Sequence, residues 1–248
     1  EPMSTAIVIT SRKGGTGKTS LTRGVASCLA ALGHPVLCID MDIGLRNLDL
    51  TLGLSDRALM DFTDVLSGRC TLERAAVPHP EIQGLFLLTA PVNLPGTPLD
   101  EAAMKALLRQ AREQYDYILM DSPAGLGEGF RLACCGADRA VVVSTTDASA
   151  LRDAQRTVAV LRGRIPRIHL VVNRVQPKLL RRLHTTIDDA MDTAGLPLLG
   201  IVPEDPQVLL CANQGTPLIL RASRGAAIAY LNIARRLLGQ RVPLMKLH

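Results

Sequence analysis

Residues 11–20 read S-R-K-G-G-T-G-K-T-S, between an apolar run at 6–10 and a helical pattern over 21–32. A strand, a glycine-rich turn and a helix start in that order restrict the chain to an α/β arrangement with a phosphate cradle at a strand end. Gly14, Gly15 and Gly17 open backbone conformations closed to other residues, so successive N–H groups can face phosphate oxygens. Lys18 is spaced to reach the β- and γ-phosphates of a nucleotide, and the Thr19 hydroxyl to ligate a bridging magnesium ion. Thr16 and Ser20 belong to the same cradle. The strict pattern G-x-x-x-x-G-K-[ST] needs glycine at position 12, where this chain has Arg12. What stands there instead is K-G-G-x-G-K-T, with a second lysine, Lys13, at the front of the loop.

A chain of 248 residues buries a large core, and α/β folds of this size commonly form one domain. The expected unit is 3–239, followed by a short tail over 240–248. With no Trp, three Tyr and three Phe, the core is aliphatic, which suits buried parallel strands. The same scarcity removes the stacking platforms of nucleic-acid binders, so a net charge of +5 does not call for that partner, and no nucleic acid is expected. Arg152, Arg156, Arg162, Arg164 and Arg167 form the densest basic cluster and Arg181 and Arg182 the next; each reads as a solvated helix face. Cys28, Cys38, Cys70, Cys134, Cys135 and Cys211 have no C-x-x-C spacing and read as buried, reduced thiols. There is neither a secretory leader nor an apolar run long enough for a membrane span, so the expected location is cytoplasmic.

A second strand over 36–39 runs into Asp40-Met41-Asp42, carboxylates at the strand end where α/β folds keep their ligand chemistry. Two acids beside an anion cradle make sense with a cation between them. Positions 43–50 read as a loop near the phosphates, and 58–66 and 72–76 as short helices. A strand over 84–90 and a Pro-rich connection follow. Asp100 caps a helix reaching about 114. The run Y-D-Y-I-L-M-D at 115–121 has the form of a Walker B strand, whose Asp121 can hold magnesium. The turn S-P-A-G at 122–125 suits a switch that senses a γ-phosphate. Strands over 140–145, 169–173 and 198–202, a helix over 148–161 and a last helix from Gly225 to Gly239 complete the alternation. The expected fold is therefore a mostly parallel central sheet with helices on both faces, of the P-loop NTPase type. His34, His79, His169 and His184 are isolated and read as structural or solvated.

Several separated stretches point to one family. K-G-G-T-G-K-T at 13–19, D-M-D-I-G-L-R-N-L-D-L at 40–50, D-S-P-A-G at 121–125, V-P-E-D-P-Q-V at 202–208 and A-N-Q-G-T-P at 212–217 resemble the MinD family of septum-site ATPases, within the deviant Walker A, ParA-like group. The likeness covers nearly the whole chain in order. It implies an ATPase that uses ATP and Mg2+, dimerises face to face with ATP bound, lies peripherally on the inner face of the cell membrane, recruits a MinC-like division inhibitor and is released by hydrolysis. A MinE-like stimulator or another topological factor would govern it. In the family, the lysine matching Lys13 crosses to the partner's phosphates, Lys18 serves its own nucleotide, Asp42 positions the attacking water, Thr19 ligates magnesium, and Asp40 and Asp121 hold the ion's water shell. Asn173, Arg174, Pro203, Glu204 and Asp205 fall where the family encloses adenine. The alternative is a related ParA-like ATPase for DNA partition or flagellar placement.

The chain departs from the family pattern at Arg12, at Gly127-Glu128, where the acid is usually one position earlier, and at Gln155, where an acid is often found. The family usually ends in a basic amphipathic helix that inserts into anionic membrane, and the tail over 240–248 is expected to lack it.

Overall fold

The computed structural model describes residues 4–182, 191–192 and 194–243. The strands β1 (Thr5–Thr10), β2 (Val36–Asp40), β3 (Val77–Pro78), β4 (Leu85–Leu88), β5 (Tyr117–Asp121), β6 (Arg139–Ser144), β7 (Arg167–Val175) and β8 (Leu198–Pro203) form a sheet in the order β3-β4-β2-β5-β1-β6-β7-β8. Every pairing is parallel except β3 with β4 at one edge. The chain leaves β1 towards β2 and β4 on one side and later towards β6, β7 and β8 on the other. The C-terminal end of β1 is thus a topological switch point, where open α/β sheets bind ligands.

Side-chain alternation divides the core into two layers. Ile7, Ile9, Val36, Cys38, Leu119 and Val141 point to one face, which is covered by α1 (Lys18–Ala31) and α10 (Ala226–Leu237). Ala6, Val8, Leu37, Ile39, Ile118 and Met120 point to the other, covered by α5 (Glu101–Gln114), α6 (Glu128–Cys134) and α7 (Ala148–Leu161). Glycine lets the first layer pack closely, since a Cβ on Gly24 of α1 would lie 2.2 Å from Cδ2 of Tyr230.

Most sequence expectations match these elements, including the Asp100 cap, whose carboxylate accepts from Ala102 N, and the helix over 148–161. The helix expected over 58–66 begins only at Phe62, as α3 (Phe62–Leu66), because Asp61 and Asp64 form a reciprocal capping box there. Positions 43–50, expected as loop, close into the single turn α2 (Leu48–Thr51). The other short elements are α4 (Leu72–Ala75), α8 (Pro177–Arg182) and α9 (Pro206–Asn213), of which α8 and α9 were not among the expected helices.

The largest basic cluster is not one helix face. Arg152 and Arg156 lie on α7, which ends at Leu161; Arg162 and Arg164 stand in the following turn and Arg167 on β7. Five cysteines are buried and Cys70 is partly so, all as free thiols. His184, the side chains of Arg181 and Arg182, and positions 1–3 and 244–248 lie outside the described residues.

Candidate functional site

The loop over 11–17 turns from β1 into α1. Gly15 and Gly17 have φ of 77° and 84°, and Gly17 is the N-cap of α1 with no side chain bonded to the helix start. That leaves backbone donors at the positive end of the helix dipole facing outward, the arrangement that holds anions. Asn173 Nδ2 donates to Thr16 O at 2.8 Å, and Arg174 Nη1 donates to Gly15 O at 3.0 Å. A Cβ on Gly17 would sit 2.1 Å from Asn173 Nδ2, so this contact accepts only glycine. The end of β7 therefore braces the loop from behind.

Below the loop, Lys18 Nζ donates to Asp121 Oδ1 at 2.6 Å, and both groups are buried. Thr19 Oγ1 donates to Asp121 Oδ2 at 2.8 Å, while Thr22 Oγ1 lies 3.4 Å from Asp121 Oδ1. Asp40 is the register partner of Asp121 on the adjacent strand. Its Oδ1 accepts from Asp42 N at 2.9 Å and its Oδ2 from Leu48 N at 3.2 Å, so Asp40 also ties down the loop over 41–48. Burial first, and the neighbouring Asp121 second, push the Asp40 carboxyl up to about 7. Asp42 is raised as well, again mainly by burial and against the pull of Lys18.

Lys13 has partners within its own subunit: Nζ donates to Ser149 Oγ at the start of α7 and lies 3.9 Å from Asp153 Oδ2. Arg12 Nε is 3.8 Å from the same carboxylate. Both cations lie at the rim and remain partly exposed. The turn over 122–125 is tied to the cradle through Gly125 N, which donates to Ser11 O at 3.3 Å. Glu128 accepts from Leu99 N at 2.9 Å and opens α6, so it is engaged in packing that helix.

Beside the cradle lies a cleft of about 320 Å³ bounded by Gly15, Gly17, Ser20, Asn173, Arg174 and the 203–205 turn. Arg174 Nε donates to Glu204 Oε2 at 3.0 Å across its mouth. Asp205 accepts from Gln207 N at 2.9 Å and from Ala226 N at 3.0 Å, which caps α9 and fixes the start of α10. Val202, Val208, Leu209, Ala212 and Tyr230 complete the walls. Val202, Val208 and Ala212 fall within the motifs at 202–208 and 212–217, but none of the five was expected to line a cleft. Tyr230 falls at core spacing on the last helix, and Val208, Leu209 and Ala212 recur at helical spacing after Pro206, a signal the sequence carries.

Among the described residues no three His, Cys, Asp or Glu side chains gather as a metal site. A magnesium ion held here would depend on nucleotide oxygens as well as Thr19 and Asp121, which is how magnesium is ordinarily bound beside phosphates.

The CobQ/CobB/MinD/ParA nucleotide binding domain matches residues 7–218. The septum site-determining protein MinD of Synechocystis is 39% identical over 246 residues, covering 98% of this chain and 92% of that protein. The MinC:MinD cell division protein complex of Aquifex aeolicus superposes with a TM-score of 0.91 at 37% identity, covering 98% of this chain and 99% of that one. MinD of Pyrococcus horikoshii, solved with Mg-ADP, gives 0.84 at 28% identity, covering 95% and 96%. Nearly full coverage of both partners at these identities leaves one conclusion: the chain belongs to the MinD branch of the CobQ/CobB/MinD/ParA nucleotide-binding family.

Proposed function

We propose that this protein is an ATP-hydrolysing switch that places the division site, dimerising with ATP and parting after hydrolysis. The observation that carries the reading is the pair of lysines at one loop. Lys18 is buried beneath the open start of α1, whereas Lys13 stands at its rim, with a side chain 49% exposed. One lysine suits the subunit's own phosphates and the other suits those of a second copy.

In this reading Gly14, Gly15, Thr16, Gly17, Lys18, Thr19 and Ser20 bind the phosphates. Adenine enters the cleft between Asn173, Arg174 and Pro203, Glu204 and Asp205. Lys18 would serve the β- and γ-phosphates, and Thr19, Asp121 and Asp40 would hold the magnesium ion. Bound Mg-ATP supplies the phosphoanhydride to be cleaved and a cation that neutralises these buried carboxylates. Asp42, at the end of the tied loop, orients the attacking water. Lys13 leaves Ser149 and Asp153 and stabilises charge on the partner's γ-phosphate in the manner of an arginine finger. Because that contact needs the γ-phosphate, nucleotide state and dimerisation are thermodynamically linked.

The MinC of the Aquifex complex suggests a MinC-like inhibitor as partner here too. Peripheral attachment to an anionic inner membrane, and release by a MinE-like or other topological factor, complete the cycle. The test is oligomeric state by analytical ultracentrifugation with ADP, with ATP, and with ATP in Lys13→Ala. A monomer, a dimer and a monomer are expected; an ATP dimer that survives loss of Lys13 would sink the crossed-lysine reading.

A further inference from the structure

At the opposite end of the sheet from the cradle, β6 and β7 begin with basic side chains that the nucleotide site does not use. Arg139 and Arg167 are direct register partners, and His169 shares a strand face with Arg167. Arg236, near the end of α10, closes the far side. With Pro166, Ile168 and Pro197 these residues bound an open cleft of about 480 Å³.

Like charges directly opposite on neighbouring strands destabilise a sheet, so the pair calls for a compensating group. Among the described residues no carboxylate lies within ion-pair distance of Arg139, Arg167 or Arg236. Asp138, next in sequence to Arg139, is taken by Arg112 Nη1 and by Ala6 N, both at 2.8 Å. Among the described residues Arg139 makes one long bond, from Nη1 to Leu237 O at 3.4 Å. Arg236 is fixed by backbone carbonyls, donating to Leu199 O at 3.0 Å, to Val242 O at 3.0 and 3.2 Å and to Pro243 O at 2.9 Å. It is a rigid wall, whereas among the described residues Arg139 and Arg167 keep most of their donors free. His169 Nδ1 is buried and unpartnered beside them.

Two guanidinium forks and an imidazole, on a wall held by the backbone, match the several acceptor oxygens of one tetrahedral dianion. We propose that this cleft binds a phosphate group, separately from the nucleotide site. The proposal gains support from His169, whose affinity for a proton is lowered by burial and then by Arg139 and Arg167, as a positive field without an anion would have it. The phosphate can come from free solution or from a phosphomonoester lipid headgroup, and the experiment separates the two.

Wild type, Arg167→Gln and Arg139→Gln/Arg167→Gln are first saturated with Mg-ADP, so that the cradle is filled. Each is titrated with inorganic phosphate by calorimetry, and in parallel sedimented with phosphatidylcholine vesicles with and without phosphatidic acid. Binding of free phosphate that weakens about tenfold for each arginine removed supports a soluble ligand. Sedimentation with phosphatidic acid that needs the same arginines, without a phosphate heat, supports the headgroup. Thermal melts without ligand should leave the double variant folded and no less stable than wild type, since a repulsion has been removed. Should that variant unfold, Arg167→Gln, a single exposed change, carries both arms alone. Equal responses of wild type and variants in both arms, or no response in either, overturn the proposal.

Discussion

Lys18 Nζ lies 2.6 Å from Asp121 Oδ1, with side chains only 8% and 2% exposed, so the two groups central to the proposed site neutralise each other until a nucleotide arrives. Removing one partner of a buried ion pair strands the other and costs about 3–5 kcal/mol. Lys18→Met is therefore expected to lose nucleotide binding and also to lower the urea midpoint of the ligand-free protein. Lys18→Met/Asp121→Asn should recover most of that stability and none of the binding. A single variant as stable as wild type would mean that the pair is not formed in solution.

Lys13 is held differently. Its bond to Ser149 and its distant approach to Asp153 are exposed, and such pairs are worth at most about 1 kcal/mol. Asp153→Asn should then shift ATP-dependent dimerisation by no more than about fivefold, towards the dimer, because it frees the lysine. Lys13→Ala should abolish it. Sedimentation velocity across a concentration series separates the two outcomes, and a dimer weakened by Asp153→Asn would place Asp153 itself in the interface.

His79 links acid pH to unfolding. Its Nδ1 faces two donors, Glu81 N at 3.1 Å and Ile82 N at 3.2 Å, so it must accept, and Nε2–H must donate to Leu52 O at 3.1 Å. A protonated ring has no acceptor left for those amides, and burial first of all lowers the histidine below its ordinary 6.5. With the folded value below the unfolded one, the unfolded chain binds more protons on falling through pH 6.5. The His79 contribution is complete above that pH and is lost below it, at up to about 1.4 kcal/mol per pH unit. Urea midpoints at pH 7.5 and 5.5 should fall further in wild type than in His79→Gln; parallel slopes would disprove the linkage.

Arg23 is 2% exposed on α1, and its Nη1 has no hydrogen-bond partner. Burial lowers its proton affinity, and only Tyr230 and Cys211 act in the other direction. A buried charge without a carboxylate is a cost, so Arg23→Met should stabilise the ligand-free protein by about 1–3 kcal/mol. Chemical denaturation measures this directly. A loss of stability instead would show that the guanidinium has a partner in solution.

The cradle was legible in the sequence because its information is local: three glycines, a lysine and a threonine between a strand and a helix specify it without reference to the rest. Asp100 and the 148–161 helix were legible for the same reason. Long-range pairings were not. Ser149, which holds Lys13, is 136 residues away in sequence, and nothing in either segment announces the meeting. Asp40 read as a metal carboxylate, and only the folded loop reveals that both its oxygens accept backbone N–H groups. Arg162, Arg164 and Arg167 follow Arg152 and Arg156 in one charge run, yet the helix ends at Leu161, as its periodicity expects, and the charge pattern alone does not mark that boundary. Tyr230 obeys the core periodicity and borders the cleft as well, two roles that one pattern cannot separate.

Tyr230 is also where packing and binding meet. Alanine in place of glycine inside a helix ordinarily gains about 1 kcal/mol, but a Cβ on Gly24 would lie 2.2 to 2.7 Å from three atoms of the Tyr230 ring. The ring is buried between α1 and α10 and borders the cleft, so the cleft is the direction in which it can yield. Gly24→Ala should therefore be destabilising by about 1–3 kcal/mol, the usual cost of overpacking, and should weaken ADP binding in step as the ring is pushed into the cleft. Shortening the ring removes the clash, so Gly24→Ala/Tyr230→Leu should be more stable than the two single changes add up to. Positive coupling in a double-mutant cycle of urea denaturation is the expected result; strict additivity would mean that α1 and α10 pack less closely than their glycine contact requires.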